Sequence, residues 1–186
     1  MRIVPFWKIE LLFALAWILF RVIAAVVKRK FDIKRELLML LMYVNLAVLI
    51  RLIYFPLDML TDILIRYRFF EMPKINLVPF VHLLEYNYAG NAFINVAGNV
   101  LMFVPTGIIV PILYKKFDSF PMTVLAGFLL SLAIELSQLF TPDRVTDVDD
   151  LIMNTLGAAI GFGIYYLVKR IKNRNGKEAS HGTDPK

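Results

Sequence analysis

Five apolar stretches, near residues 9–27, 37–57, 91–114, 120–140 and 149–168, each have the length that carries a helix across the hydrocarbon of a bilayer. A chain of this kind cannot bury its apolar surface in a soluble core. Of the 186 residues, 59% are hydrophobic and only 19% charged, whereas ordinary soluble domains are about 45–50% apolar and about a quarter charged. Lipid must cover the surplus. In lipid each backbone N–H and C=O needs an internal partner, which only helices and closed barrels supply, and no alternating barrel pattern occurs. The expected fold is therefore all-α, an integral membrane bundle of about five transmembrane helices. It occupies residues 1–172 as one domain, with a disordered cytoplasmic tail at 173–186, rich in Lys, Gly and Ser.

The net charge of +6 does not point to nucleic acid, because the basic residues lie in short runs beside the apolar stretches, as charges near anionic headgroups do. Membrane lipids are the expected partners. The first stretch reads as an uncleaved anchor, since it is long, contains Arg21 and runs into Lys28, Arg29 and Lys30 without a small-residue cleavage site. There are no cysteines, which excludes disulfide and thiolate chemistry.

Orientation follows from Lys and Arg in the connections, because short loops rich in them stay cytoplasmic. The 28–36 and 115–119 connections and the C-terminal tail carry thirteen, and the opposite set carries six. The N-terminus is expected outside and the C-terminus inside. In the long 58–90 connection, Asp58, Asp62 and Arg66 recur every fourth residue opposite Met59, Leu60, Ile63 and Leu64, the pattern of an amphipathic helix lying in the interface. The following Asn76–Phe80, bracketed by Pro73 and Pro79, reads as an irregular segment that re-enters or hugs the bundle.

This topology brings together the start of the third span, the end of the fourth and the start of the fifth. All three are polar. Asn91, Asn95 and Asn99 are spaced i, i+4, i+8; Ser131, Glu135 and Gln138 are spaced i, i+4, i+7; Asp147, Asp150 and Asn154 form a third stripe, continued by Gly157 and Gly161. Glu135 in a membrane span must face the bundle interior and find a partner, because unpaired charge in hydrocarbon costs about 2.5–3.5 kcal/mol. Arg51 and Arg144 are the candidates. Arg21 is expected to snorkel to the interface, and Pro105 to kink the third span.

Simpler roles compete for each motif. Asn stripes join helices by hydrogen bonds, Gly157-x-x-x-Gly161 permits close packing, and Asp147 with Asp150 can cap a helix start. Capping does not explain Asp143, Asp149 and Glu135 as well, so an outer polar site is the fuller reading. Asp147, Asp149, Asp150 and Glu135 are hard oxygen donors without a fixed ligand spacing, and two His with no Cys disfavour zinc. No metal and no cofactor is expected.

Three segments resemble the VanZ-like family of bacterial membrane proteins: Asn95–Gly107 (NVAGNVLMFVPTG), Ser131–Gln138 (SLAIELSQ) and Arg144–Gly157 (RVTDVDDLIMNTLG), in that order, with Asn76–Phe80 also similar. The resemblance covers about residues 75–165. It implies the bacterial cytoplasmic membrane as location, and lowered susceptibility to teicoplanin, a lipid-tailed glycopeptide. The family's polar positions fall on Asn95, Asn99, Glu135, Gln138, Arg144, Asp147, Asp150 and Asn154, the candidate ligand-binding residues. Three functions stay open. One is a non-catalytic outer site for a lipid-linked cell-wall precursor or lipoglycopeptide. Another is a membrane enzyme with Glu135, Asp147 or Asp150 as acid or base, although no catalytic motif is recognisable. A small transport or assembly subunit is the third, with oligomeric state undetermined.

Overall fold

Glycine sets the closest helix contact of the bundle. In the computed structural model, which describes residues 6–28, 32–54, 74–81, 89–139 and 145–181, α3 (Ala89–Leu113) and α5 (Val148–His181) lie side by side, following α1 (Phe6–Lys28) and α2 (Ile33–Tyr54) and separated by α4 (Phe120–Gln138). A Cβ on Gly157 would stand 2.2 Å from the Val100 carbonyl oxygen, and one on Gly161 2.2 Å from that of Val104. No side chain fits there. Gly107 of α3 returns the contact, since its Cβ would meet the Ala158 carbonyl at 2.1 Å. This is small-residue packing of the kind lipid favours, where backbones must approach because no hydrophobic force drives helices together.

The other helices are added to this pair. α4 packs along α5, with Gly127 against the Ala158 methyl. α2 covers α3 through Leu49 and Phe103, both fully buried, with Leu46, Met102, Leu130 and Ile134 around them. Beside this cluster, Asn45 donates from Nδ2 to the Met102 carbonyl at 3.1 Å and accepts the Thr106 hydroxyl at 2.8 Å. The clasp is buried, and it flanks Pro105, which lacks an N–H to give to the preceding turn. α3 runs unbroken through both Pro105 and Pro111.

α1 is outermost. It meets α2 through Phe13 and Trp17 on Tyr43, and through Arg21, which forks onto both carboxylate oxygens of Glu36 rather than only reaching for the interface. Fork-shaped pairing fixes orientation as well as charge. Most of its apolar side chains are exposed, as are those along the outer faces of α2 to α5, and lipid is their complement. α1, α3, α4 and α5 each hold an apolar window long enough to cross a membrane. α2 has 22 residues, enough to span about 30 Å, and carries its charges, Lys34, Arg35, Glu36 and Arg51, near its ends.

Two features depart from or add to the sequence expectations. α5 continues to His181, so the expected disordered tail begins too early at 173. A nucleated helix propagates cheaply, and Lys172, Arg174, Lys177, Glu178 and Ala179 are good helix formers. A short parallel ladder also joins β1 (Lys74–Asn76) to β2 (Val145–Asp147), pairing Ile75 with Thr146 and Asn76 with Asp147. The expected interfacial helix around 58–66 lies outside the described residues.

At the opposite end from the ladder, past the 3-10 turn Lys115–Phe117, Asp118 accepts from Tyr165 Oη at 2.8 Å and from Lys169 Nζ. The Lys169 hydrogen bond, then that of Tyr165, holds the Asp118 carboxyl below its ordinary value. Its stabilising contribution is present above the unfolded carboxyl pKa and is lost as pH falls through the lowered folded value. Carboxyl NMR titration of Asp118 checks this: Lys169→Ala should bring its midpoint back up. A second expectation concerns the glycine seam. Gly157→Leu should destabilise the bundle by about 1–3 kcal/mol or more, whereas Gly163→Ala, with nothing within 4 Å, should be tolerated. Unfolding of both variants in mild detergent measures the difference.

Candidate functional site

The polar residues gather at the ladder end. α4 runs antiparallel to α5, and its i, i+4, i+7 stripe turns inward: Ser131, Glu135 and Gln138 are all buried. Glu135 is 3% exposed, and its Oε2 accepts the backbone N–H of Asp147 at 3.0 Å. The Glu135 carbonyl accepts the Thr146 hydroxyl at 3.1 Å. A carboxylate at the end of one helix thus holds the strand that leads into the next.

Asp147 starts α5. Its Oδ1 accepts the Asp149 N–H at 2.9 Å, the N-cap bond that satisfies a free donor of the first turn. The same oxygen accepts from Asn76 Nδ2 at 3.1 Å, while Asn76 Oδ1 accepts the Val78 N–H at 3.1 Å. Asp149, buried in the first turn of α5, accepts the Phe80 N–H at 2.8 Å through Oδ1. Phe80 has φ 66°, a left-handed conformation that costs a non-glycine residue about 1–2 kcal/mol. The Asp149 bond holds it there. Segment 74–80 is therefore pinned to β2 and the start of α5 by two aspartates and a backbone ladder.

Across the bundle, Asn99 Nδ2 donates to Asp150 Oδ1 and lies 3.4 Å from Asn95 Oδ1. Lower down, Asn154 Nδ2 donates to Ser131 Oγ at 3.0 Å. The candidate residues thus fall into three linked groups: Asn95, Asn99 and Asp150 between α3 and α5; Glu135 and Asp147 between α4 and β2; Asn154 with Ser131 between α5 and α4. Gln138 shares the buried face of α4. Arg144 lies outside the described residues, and the side chain of Asn91 is likewise undescribed. Asn95 is exposed and Asn99 half-buried, so the α3 stripe opens outward as it approaches the end of the bundle. Arg51 is half-buried on α2.

Two members escape sequence reasoning. Asn76 meets Asp147, and Asp149 meets the Phe80 N–H, over sequence separations that no periodicity reports; the available signals were an Asn in a Pro-bracketed segment and an acid that capping did not explain. Among the described residues, three buried acceptors have no hydrogen-bond donor: Gln138 Oε1, Asp149 Oδ2 and Asn154 Oδ1. Among the described residues no group of three or more His, Cys, Asp or Glu is placed to hold a metal ion.

Fold and site together define a multi-pass α-helical membrane protein with a buried polar network at one end of its bundle. The VanZ/LLP1 family model matches residues 37–169, and the chain belongs to that family. It is 28% identical over 105 residues to Protein VanZ of Enterococcus faecium, covering 56% of this chain and 60% of that one. No solved structure matches the chain.

Glu135→Leu should leave the Asp147 N–H buried without an acceptor and cost about 1–3 kcal/mol. Glu135→Gln keeps an acceptor oxygen and should lose much less. Comparing their unfolding midpoints with wild type separates a hydrogen-bonding role from mere packing.

Proposed function

We propose that this protein lowers bacterial susceptibility to lipoglycopeptides such as teicoplanin through a polar site on the outer face of the membrane that engages a lipid or cell-wall-linked ligand. The observation that carries the reading is the convergence of polar groups, buried on α4, at the end of β2 and on α5, and half-buried on α3 and segment 74–80, at the end of the bundle whose connections are poor in Lys and Arg. By the rule that short basic loops stay inside, that end faces out. The C-terminal end of α5 then lies in the cytoplasm. Family membership supports the same assignment, since the matched region contains the α3, α4 and α5 members of the network.

Binding fits the arrangement better than catalysis. Glu135 and Asp147 each accept a backbone N–H, and Asp150 accepts from Asn99. A general acid or base must instead reach a substrate proton. These carboxylates shape the site, and the less buried Asn95 and Asn99 line its approach.

Expression in a teicoplanin-susceptible host should raise the inhibitory concentration of teicoplanin and leave that of vancomycin unchanged. Asn99→Leu, at normal membrane abundance, should remove the gain. Equal protection against both drugs would contradict a role for the lipid tail. A new covalent lipid or precursor product dependent on Asp150 would favour an enzyme.

A further inference from the structure

Every orphaned buried polar atom in the described site is an acceptor. Gln138, Asp149 and Asn154 are 5%, 4% and 3% exposed, and the atoms without partners are Oε1, Oδ2 and Oδ1. Burying an acceptor without a donor is unfavourable by roughly 1–3 kcal/mol, so three in one region call for a group rich in N–H or O–H. A metal ion would also suit oxygen ligands, but the described carboxylates are not grouped to hold one. An amide assignment can be turned over, whereas a carboxylate cannot. Asp149 therefore carries the argument: one oxygen holds the Phe80 N–H and the other faces no donor.

What lies beside Asp149 indicates the rest of the ligand. The segment it pins carries Leu77, Val78, Phe80 and Val81, which are 74%, 59%, 49% and 37% exposed. Asp149 accepts the Phe80 N–H of this strip through Oδ1, so the apolar strip and the carboxylate with the unpaired oxygen meet at one residue. An amphiphile matches both halves.

We infer that the site takes a lipid headgroup bearing N–H or O–H donors, seated on Asp149 Oδ2, with its acyl chains along Leu77–Val81. The inference rests on the proposed lipid-engaging role of this end of the bundle and names the chemistry it selects. Phosphatidylethanolamine and phosphatidylcholine isolate that chemistry, because both carry a phosphate and a positive nitrogen but only the first has N–H donors. Phosphatidylglycerol supplies hydroxyl donors and distinguishes the two donor types.

The test titrates each lipid onto the delipidated full-length protein in detergent and counts bound lipid by native mass spectrometry. Phosphatidylethanolamine, phosphatidylglycerol or both should bind about tenfold more tightly than phosphatidylcholine, the factor expected of one hydrogen bond to a charged acceptor. Asp149→Asn retains an acceptor for Phe80 but places an amide donor where Oδ2 stood, so the preference should shrink to about twofold or less. Its unfolding midpoint, measured in phosphatidylcholine, reports whether the variant is folded. If it is not, Leu77→Ser with Val78→Ser, on the exposed strip, should weaken binding of all three lipids while leaving the midpoint in place. Equal binding of the three lipids by the wild type would overturn the inference and leave the oxygens to trapped water. Because the readout is lipid binding by purified protein, that outcome would not decide the teicoplanin comparison, nor would failure of that comparison decide this one.

Discussion

Gly157 and Gly161 leave the Val100 and Val104 carbonyls room that any side chain would occupy, and the position of α5 against α3 follows from that contact. Asn154 lies three residues before Gly157 and Asp150 one turn further up, so the seam also sets the depth at which the polar end of α5 meets Ser131 and Asn99. In water, apolar burial would help to hold such a pair. In lipid the helices gain little from apolar contact alone, and close approach with interhelical hydrogen bonds takes its place. The Asn45–Thr106 clasp between α2 and α3 follows the same rule one layer out.

The second constraint is that irregular backbone near the hydrocarbon must find partners. Segment 74–80 meets it by borrowing. β1 pairs with β2, Asn76 binds Asp147, and the Phe80 N–H finds Asp149. Asp147 is at once the cap of α5, the partner of Asn76 and the residue whose N–H Glu135 receives. These bonds tie the end of the bundle together within the protein itself, as the proposed recognition of a ligand would require.

Much of the bundle was legible in the sequence because lipid imposes a plain length rule. The apolar stretches recover the helices, and the 3.6 period places Ser131, Glu135 and Gln138 on one buried face. The glycine spacing likewise anticipates close packing by α5, though not that α3 is its partner. Pairings between distant segments were not legible, since nothing local in Asn76 or Asp149 names its partner. Glu36 was not singled out as the partner of Arg21 because each alone looks like an interface charge. The helical course of α5 beyond residue 173 was hidden by composition, which reports solubility more directly than backbone conformation.

Segment 74–80 lies against the start of α5 and completes the polar site, and the proposed function puts that end of the bundle on the outer face. The natural chain has no cysteine, so paired cysteines at Ile75 and Thr146, opposite each other in the ladder, report it directly. Treating intact cells with a membrane-impermeant thiol oxidant should convert the Ile75→Cys, Thr146→Cys protein to the disulfide form, seen as a dithiothreitol-reversible shift on a non-reducing gel. Failure to crosslink in both intact and opened cells would contradict the ladder, and crosslinking only after the cells are opened would place the site on the wrong side of the membrane.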